Sequence, residues 1–178
     1  SYRPDAITAR DVQEKVEAIK TLQAGPPPPV LVAPAWLDYW RSGSTYKSMW
    51  AERGVTDQAV IDRFTLGYEP IDDALCMPIH DRTGNVTGVV RRFRNPAPGS
   101  PKYKYPRGFK ISQNLYGWFQ VASLQGSGRL PVLGVTEGGI DSLRSWQVGV
   151  PSVALLGANC SPTQVKLLKA LDPVSLLI

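Results

Sequence analysis

The segment that most constrains this chain runs from Pro131 to Leu143 and reads PVLGVTEGGIDSL. An apolar, β-branched run ends at Glu137, two glycines follow, and Asp141 comes four residues after Glu137. This pattern predicts a buried parallel strand that turns tightly into a helix. Ligands bind at that edge of open α/β sheets, and helical spacing lets Asp141 lean toward Glu137. In isolation, the pattern is equally typical of a strand-end glutamate followed by an aspartate that the helix dipole favours.

The sequence on either side of this segment predicts alternating strands and helices. Ser161 and Pro162 suit the N-cap and first position of the second helix. The order strand, helix, strand, helix, strand predicts a parallel sheet with right-handed crossovers. The predicted strands are Val132–Thr136, Ser152–Leu156 and Val174–Ile178, and the predicted helices are Ile140–Gln147 and Thr163–Leu171.

The preceding part of the chain predicts a small α+β subdomain. Short helices are expected first, then a hairpin closed by a turn at Asp81–Gly84. Trp36, Tyr39, Trp40 and Trp50 are expected in its core. The predicted helices are Ala35–Arg41, Ser44–Arg53 and Thr56–Phe64, and the predicted strands are Ala74–His80 and Asn85–Phe93.

The fold class is therefore predicted as α/β, with three segments. Residues 1–33 hold an amphipathic helix at 8–23 and a proline-rich linker. Residues 34–125 form the basic α+β subdomain, and residues 129–178 form a truncated parallel sheet with flanking helices. An apolar content of 43% and a charged content of 20% are values of globular proteins.

The cysteines and the hydropathy indicate where the protein works. Cys76 and Cys160 lie far apart in apolar settings, so we expect buried thiols rather than a disulfide framework or a zinc site. No apolar run approaches the ~20 residues of a membrane span, and no signal peptide is visible. These features predict a cytoplasmic protein without a membrane partner. The only histidine, His80, is expected to have a structural role.

Positive charge is concentrated in the middle of the chain. Twelve of the fifteen acidic residues precede residue 82, and none lies between Arg82 and Thr136. Lysines and arginines alternate there with Tyr103, Tyr105 and Phe109. Cations beside aromatic rings are typical of proteins that bind single-stranded nucleic acid; a solvated basic surface is the alternative. The candidate nucleic-acid-binding residues are Arg91, Arg92, Arg94, Lys102, Lys104 and Lys110.

Six short motifs occur in order over residues 45–178. They are ERGVT with RFTLGY (52–56 and 63–68), MPIHDRTGNVTG (77–88), PKY (101–103), NLYG (114–117), EGGID (137–141) and VALLG (153–157). Together they resemble the RNA-polymerase core of bacterial (DnaG-like) DNA primases, ending in the first half of a Toprim fold. Each motif alone is weak, whereas their order and spacing are specific. A phage or mobile-element origin is compatible with the chain.

The resemblance implies roles for particular residues. Arg92 and Lys102 would guide template and nucleotides. Glu137 would bind Mg²⁺ or Mn²⁺, or act as general base and acid, with Asp141 beside it. The chain departs from the family pattern after the hairpin, where Val90, Arg91 and Arg92 replace Gly-Gly-Arg. The family's later lysine also falls at Ile111, one residue after Lys110.

Two further departures bear on activity. No zinc-ribbon cysteines precede the core, so no zinc is expected in this chain. The family's Asp-x-Asp pair should begin directly after Ile178, where the sequence stops. Two-metal phosphodiester chemistry needs several carboxylates, and we therefore expect a catalytically incomplete primase fragment.

The sequence thus predicts part of an enzyme that makes short RNA primers from NTPs on single-stranded DNA, with a replicative helicase as partner in cis or in trans. Two alternatives remain open. One is a non-catalytic single-stranded-DNA-binding module of a replication protein. The other is a different Toprim enzyme, a topoisomerase or nuclease, although this does not account for the PKY and LYG motifs.

Overall fold

Two sheets of different kinds organise the chain. The structure, a computed structural model, describes residues 31–124, 126 and 128–178. Residues 31–178 form one compact unit, and the predicted helix at 8–23 and its proline linker lie outside the described residues. None of the helices in the described part of the chain is long and apolar enough to cross a membrane.

Three short helices precede a four-stranded antiparallel sheet with the order β1-β2-β3-β4. β2 and β3 form the predicted hairpin, with a bulge near its turn between Ile79 and His80. Asp81 stabilises the turn by accepting hydrogen bonds from the backbone N–H groups of Thr83 and Asn85. The elements are α1 (Pro34–Trp40), α2 (Thr45–Ala51), α3 (Gln58–Arg63), β1 (Gly67–Glu69), β2 (Ala74–His80), β3 (Val86–Phe93) and β4 (Tyr103–Lys104).

A three-stranded parallel sheet with the order β6-β5-β7 follows. A 3₁₀ turn at Ile111–Gln113 and helix α4 connect the two sheets. Ser161 caps α6 as predicted, and Gln164 completes a capping box. The predicted α/β fold class, an α+β part followed by a parallel sheet with flanking helices, is confirmed. The elements are α4 (Trp118–Ala122), β5 (Val132–Thr136), α5 (Gly139–Gln147), β6 (Ser152–Ala154), α6 (Pro162–Ala170) and β7 (Ser175–Leu177).

One hydrophobic core joins the two sheets. Phe64 lies at its centre, with its ring centroid 5.5 Å from that of Tyr116 and 5.5 Å from that of Trp146. Burial of these rings and of the aliphatic side chains around them fixes one sheet on the other. The antiparallel sheet contributes Leu75, Met77, Ile79 and Val90 to this core, and the parallel part contributes Ile140, Leu143 and Ala154.

The RGVT segment docks helix α5. The Arg144 Nε donates to the Arg53 carbonyl at 2.9 Å, and the Gln147 Nε2 donates to the Gly54 carbonyl at 2.7 Å. The Gln147 Oε1 accepts from the backbone N–H groups of Thr56 and Asp57. These contacts join segments about ninety residues apart, so the motif fixes the helix that carries Asp141.

Several local predictions are wrong. Trp36 and Tyr39 are 54% and 42% exposed, because they lie on the outer side of α1, whereas Trp40 and Trp50 are buried. Cys160 is exposed, because it lies in the loop before α6, and Cys76 is buried as expected. Helix α3 begins at Gln58, with Asp57 as its N-cap, two residues after the predicted start at Thr56. Strands β1 and β4 and helix α4 were not predicted.

Candidate metal and nucleic-acid site

The turn between β5 and α5 carries both predicted carboxylates. β5 ends at Thr136, whose hydroxyl donates to the Gly138 carbonyl at 3.0 Å and holds the turn. Glu137 and Asp141 are both exposed. A Cβ at position 138 would lie 2.9 Å from the Asp141 Oδ2, so the glycine lets this carboxylate fold back against the turn. The two acids lie at one edge of the parallel sheet, as the strand-turn-helix pattern predicts.

A cleft of about 440 Å³ opens at this turn. Its first wall is formed by the turn and the chain after β6, and its second wall by two tyrosines of β4 and the loop that follows it. We call it the Glu137 cleft. It is lined by Tyr103, Tyr105, Glu137, Gly138, Gly139, Asp141, Leu156 and Gly157.

The second wall is aromatic. The Tyr103 and Tyr105 rings stack with centroids 6.4 Å apart, and Tyr105 stacks on Phe109 at 5.9 Å with an interplanar angle of 4°. Burial, with a smaller contribution from Tyr103, raises the pKa of the Tyr105 phenol above its ordinary value, so Tyr105 stays neutral at physiological pH. This wall therefore offers neutral rings and a hydroxyl to a ligand.

Arg92 lies behind this wall. It pairs with Tyr103 across the β3–β4 ladder, and its guanidinium carbon is 5.8 Å from the centroid of the Tyr103 ring. The side chain is 5% exposed, and its Nε and Nη1 have no hydrogen-bond partner among the described residues. A buried arginine with unpaired donors is costly, and here it places a positive charge directly behind the aromatic wall.

Two other predicted arginines are held in ion pairs. Arg94 binds Glu52 at 2.7 Å and Asp73 at 2.8 Å. Burial alone would raise the pKa of the Asp73 carboxyl, but hydrogen bonds from Tyr68, Arg94 and Asn95 lower it below its ordinary value. Arg94 is thus engaged by two acids in this structure, and its contact with nucleic acid stays a prediction.

Arg91 is likewise engaged on the protein surface. Its Nη1 lies 3.0 Å from the Asp72 Oδ2, and its guanidinium carbon lies 5.8 Å from the Trp40 ring centroid. Arg91 pairs with Lys104 across the β3–β4 ladder. Since side chains alternate along a strand, Arg91 and Lys104 share the sheet face opposite to Arg92 and Tyr103.

The predicted lysines are exposed cations that lie outside the cleft. Lys102, Lys104 and Lys110 are exposed, and no described acid forms an ion pair with any of them. None of them lines the Glu137 cleft. The structure therefore divides the basic stretch between two sheet faces, and the wall opposite Glu137 is aromatic rather than a continuous positive surface.

The metal-ligand set is small. Within the described ranges no group of three or more His, Cys, Asp or Glu residues could hold a metal ion. Glu137 and Asp141 are the carboxylates that line the cleft. Glu137 has no ion pair with a described residue, and Asp141 has only a 3.4 Å contact with Arg144. Two available oxygen ligands fit part of a Mg²⁺ or Mn²⁺ shell, in which water and phosphate complete the coordination.

Gln164 does not line the cleft, but it holds the chain next to Leu156, and the sequence analysis missed it. Its Nε2 donates to the carbonyl oxygens of Ile111, Asn114 and Leu155 at 2.9–3.1 Å, and its Oε1 accepts from the Ser161 N–H. It is completely buried. Its spacing from Ser161 indicates the capping box. No sequence signal indicates the three carbonyl contacts, which fasten the 3₁₀ turn at Ile111–Gln113 to the chain directly after β6.

Comparisons with known proteins give the fold. No family model and no curated protein matches the sequence. Among solved structures, the chain is similar to the zinc-binding and RNA-polymerase domains of the Aquifex aeolicus primase (TM-score 0.64, 23% identity, 79% of this chain and 44% of that one). It is also similar to the E. coli primase catalytic core (TM-score 0.61, 21% identity, 80% and 58%).

The fold is that of a DnaG-like primase core. A third similar structure is a DnaG primase catalytic domain bound to single-stranded DNA, with a TM-score of 0.58 and 21% identity over 95% of this chain and 61% of that one. The chain spans about half the length of these primases. At these identities the similarity is one of fold.

Proposed function

We propose that this chain is part of a DNA primase, the enzyme that makes short RNA primers from NTPs on a single-stranded DNA template. The observation that carries the proposal is the Glu137 cleft, in which two carboxylates face the tyrosine of the PKY motif on a DnaG-like fold. The similar fold of a DnaG domain bound to single-stranded DNA supports a nucleic-acid partner. A cytoplasmic location and a helicase partner in cis or in trans are part of the same proposal.

The residues of the chain have distinct tasks in this proposal. Glu137 and Asp141 would hold a divalent cation, and Arg92, buried behind Tyr103, would add positive charge to the side of the cleft that faces the NTP. When bound, Mg²⁺ or Mn²⁺ activates the attacking hydroxyl and stabilises the charge on the phosphate. Tyr103 and Tyr105 exclude water from one side and offer their rings to the base.

The small number of carboxylates that line the Glu137 cleft favours a second function. Phosphodiester formation by two metal ions requires more acidic ligands than Glu137 and Asp141 provide. We therefore expect the 178-residue chain to make no primers by itself, and its own activity is then the binding of single-stranded DNA and nucleotide. Primer synthesis by this chain at the rate of a longer form that carries the family's downstream acids would contradict this.

The cleft is tested by nucleotide binding rather than by synthesis. We expect Mn²⁺ to strengthen the binding of a fluorescent ATP analogue, and Glu137→Gln to abolish that metal-dependent increment. Asp38→Asn is the matched control, since Asp38 is an exposed acid of α1 outside the cleft. Equal metal dependence in Glu137→Gln and Asp38→Asn would exclude Glu137 as a metal ligand, and with it the catalytic part of the proposal.

A further inference from the structure

A second cavity lies on the other face of the antiparallel sheet. It has a volume of about 520 Å³ and is formed by the end of β3 and the loop that leads to β4. This volume is within the roughly 300–1,000 Å³ of ligand pockets. None of its lining residues lines the Glu137 cleft. We call it the outer pocket; it is lined by Phe93, Asn95, Pro96, Ala97, Ser100, Pro101 and Lys104.

Strand alternation places an aromatic ring and a cation together there. Arg92 and Tyr103 share the inner face of the β3–β4 ladder, whereas Arg91 and Lys104 are paired on the outer face. Phe93, two residues after Arg91, therefore also belongs to the outer face. Its ring is half-buried and lines the pocket together with Lys104.

The loop that forms the rest of the pocket is held in place. The Phe93 N–H donates to the Lys102 carbonyl at 3.1 Å, and the Ser100 N–H donates to the Ala97 carbonyl at 2.9 Å. The Asn95 Nδ2 donates to the Asp73 Oδ2 at 3.0 Å. Two prolines line the pocket, and proline fixes its own backbone dihedral φ. The pocket is therefore largely formed before a ligand binds.

The charge at the pocket has one sign. No acidic residue lines it. Lys104 lines it and Lys102 follows its Pro101, and neither lysine forms an ion pair with a described acid. The aromatic and proline lining suits a flat apolar group. The exposed side chains of Lys102 and Lys104 suit an anion attached to that group. A nucleotide unit combines both, whereas an apolar peptide would gain nothing from the cations.

We propose that the outer pocket binds a nucleobase of single-stranded DNA, with the base against the Phe93 ring and the neighbouring phosphates on Lys104 and Lys102. This deepens the proposed function, on which it rests for the identity of the polyanion. It assigns a template contact to the sheet face opposite the Glu137 cleft. The strand then contacts both faces of the β3–β4 ladder, the outer face through a base and the inner face beside Tyr103.

The test separates base binding from phosphate binding. Fluorescence anisotropy measures the affinity of the full chain for a labelled single-stranded oligonucleotide and for an abasic oligonucleotide of the same length and charge. We expect the base-containing strand to bind more tightly by about fivefold or more, since stacking on an aromatic side chain contributes about 1–3 kcal/mol per base. Equal affinities, or no binding of either strand, would overturn the proposal.

Variants of Phe93 locate the effect. Phe93→Leu keeps an apolar side chain without a ring and should bring the two affinities close to equality, whereas Phe93→Tyr keeps the ring and the preference. Circular dichroism melts verify that both variants fold. A preference that survives Phe93→Leu in a folded protein excludes the outer pocket as the base site. An apolar peptide should displace neither strand from the protein. Displacement of a strand by the peptide would identify the pocket as a peptide site instead.

Variants of lysine test the phosphate contact. Lys104→Ala should weaken both strands equally and reduce the slope of log affinity against log salt by about one. Lys166→Ala, which removes the same charge from an exposed position on α6, is the control and should change the slope less. These binding experiments contain neither metal nor NTP. A negative Mn²⁺ result at Glu137 and a negative base-preference result at Phe93 are therefore separate findings.

Discussion

Gly139 packs against the thioether end of Met77 so closely that a Cβ at position 139 would lie 2.2 Å from the Met77 Cε. Gly139 opens α5, and Met77 is completely buried in β2. The next nearest atoms belong to Tyr116 and Leu156, at 3.4 and 3.6 Å. The second glycine of the EGG segment therefore lies where the two sheets meet, and packing between them is sufficient to explain the absence of a side chain there.

Gly139→Ala should accordingly destabilise the protein. The added methyl group must displace a buried side chain, and overpacking of this kind costs about 1–3 kcal/mol. Urea unfolding followed by tryptophan fluorescence measures the free energy of unfolding. Gly157→Ala is the control, because its Cβ would meet its nearest atom at 4.0 Å. Combining Gly139→Ala with Met77→Val should recover part of the lost free energy of unfolding. Equal losses in Gly139→Ala and in the double variant would contradict this account.

The single histidine should titrate below its ordinary pKa of 6.5, because burial lowers the pKa of His80 more than nearby Asp81 raises it. The Gln120 Nε2 is 2.9 Å from the His80 Nδ1 and also donates to the Arg63 carbonyl, so the amide donates to a neutral ring. NMR titration of the one imidazole signal measures the pKa. Gln120→Glu, which places a carboxylate beside the imidazole, should raise the pKa of His80.

The same group makes stability depend on pH. The unfolded chain takes up a proton on His80 at its ordinary pKa of 6.5, whereas the folded chain resists protonation. The contribution of His80 to stability is therefore fully present above pH 6.5 and is lost as the pH falls below it toward the lowered folded pKa. His80→Gln should remove this part of the pH dependence of urea unfolding below pH 6.5. An unchanged pH dependence in this variant would exclude His80 as its source.

Gln164→Leu should loosen the loop that contains the 3₁₀ turn at Ile111–Gln113. The variant keeps the approximate volume of the side chain but removes the Nε2 donor from the carbonyl groups of Asn114 and Leu155, while that of Ile111 keeps the Asn114 N–H. A buried carbonyl group left without a donor costs about 1–3 kcal/mol. Hydrogen exchange should increase at residues 111–114 more than in the β2–β3 hairpin. Thr163→Ala, at an exposed position of the same helix, is the control. Uniform exchange throughout the chain would indicate general destabilisation rather than release of this loop.

The two cysteines should react at very different rates. Cys160 is exposed, whereas Cys76 is buried and burial raises the pKa of its thiol to about 12. A thiol reagent should therefore modify one site quickly in the folded protein and the second only on unfolding. Cys160→Ser should remove the fast phase. A fast phase that persists in this variant would show that β2 opens readily.

The elements that the sequence predicted well are those with their own periodic signal. β2 and β5 have the predicted bounds, Ala74–His80 and Val132–Thr136, since each is a continuous run of mostly apolar residues between turn residues. β1 and β4 are three and two residues long and exist only because they pair with β2 and β3. A local pattern cannot indicate strands that depend on partners distant in sequence.

The candidate site follows the same rule. The carboxylates were predictable, because one turn fixes Glu137 and Asp141 together. The basic residues were not, because the β3–β4 register decides that Lys104 faces away from the cleft while Arg92 lies behind its wall. Nor could charge alone reveal that Arg94 already binds Glu52 and Asp73.

The common core around Phe64 has a thermodynamic consequence. Since both sheets bury side chains in it, neither can unfold while the other keeps its packing, and the described part of the chain should melt in a single transition. A molecule that binds the Glu137 cleft only in the folded state shifts the unfolding equilibrium of the whole fold toward the folded state. It therefore raises the melting temperature of both sheets together. The thermal shift of the entire fold is thus a measure of affinity at one small cleft, and it can be read without any assay of synthesis.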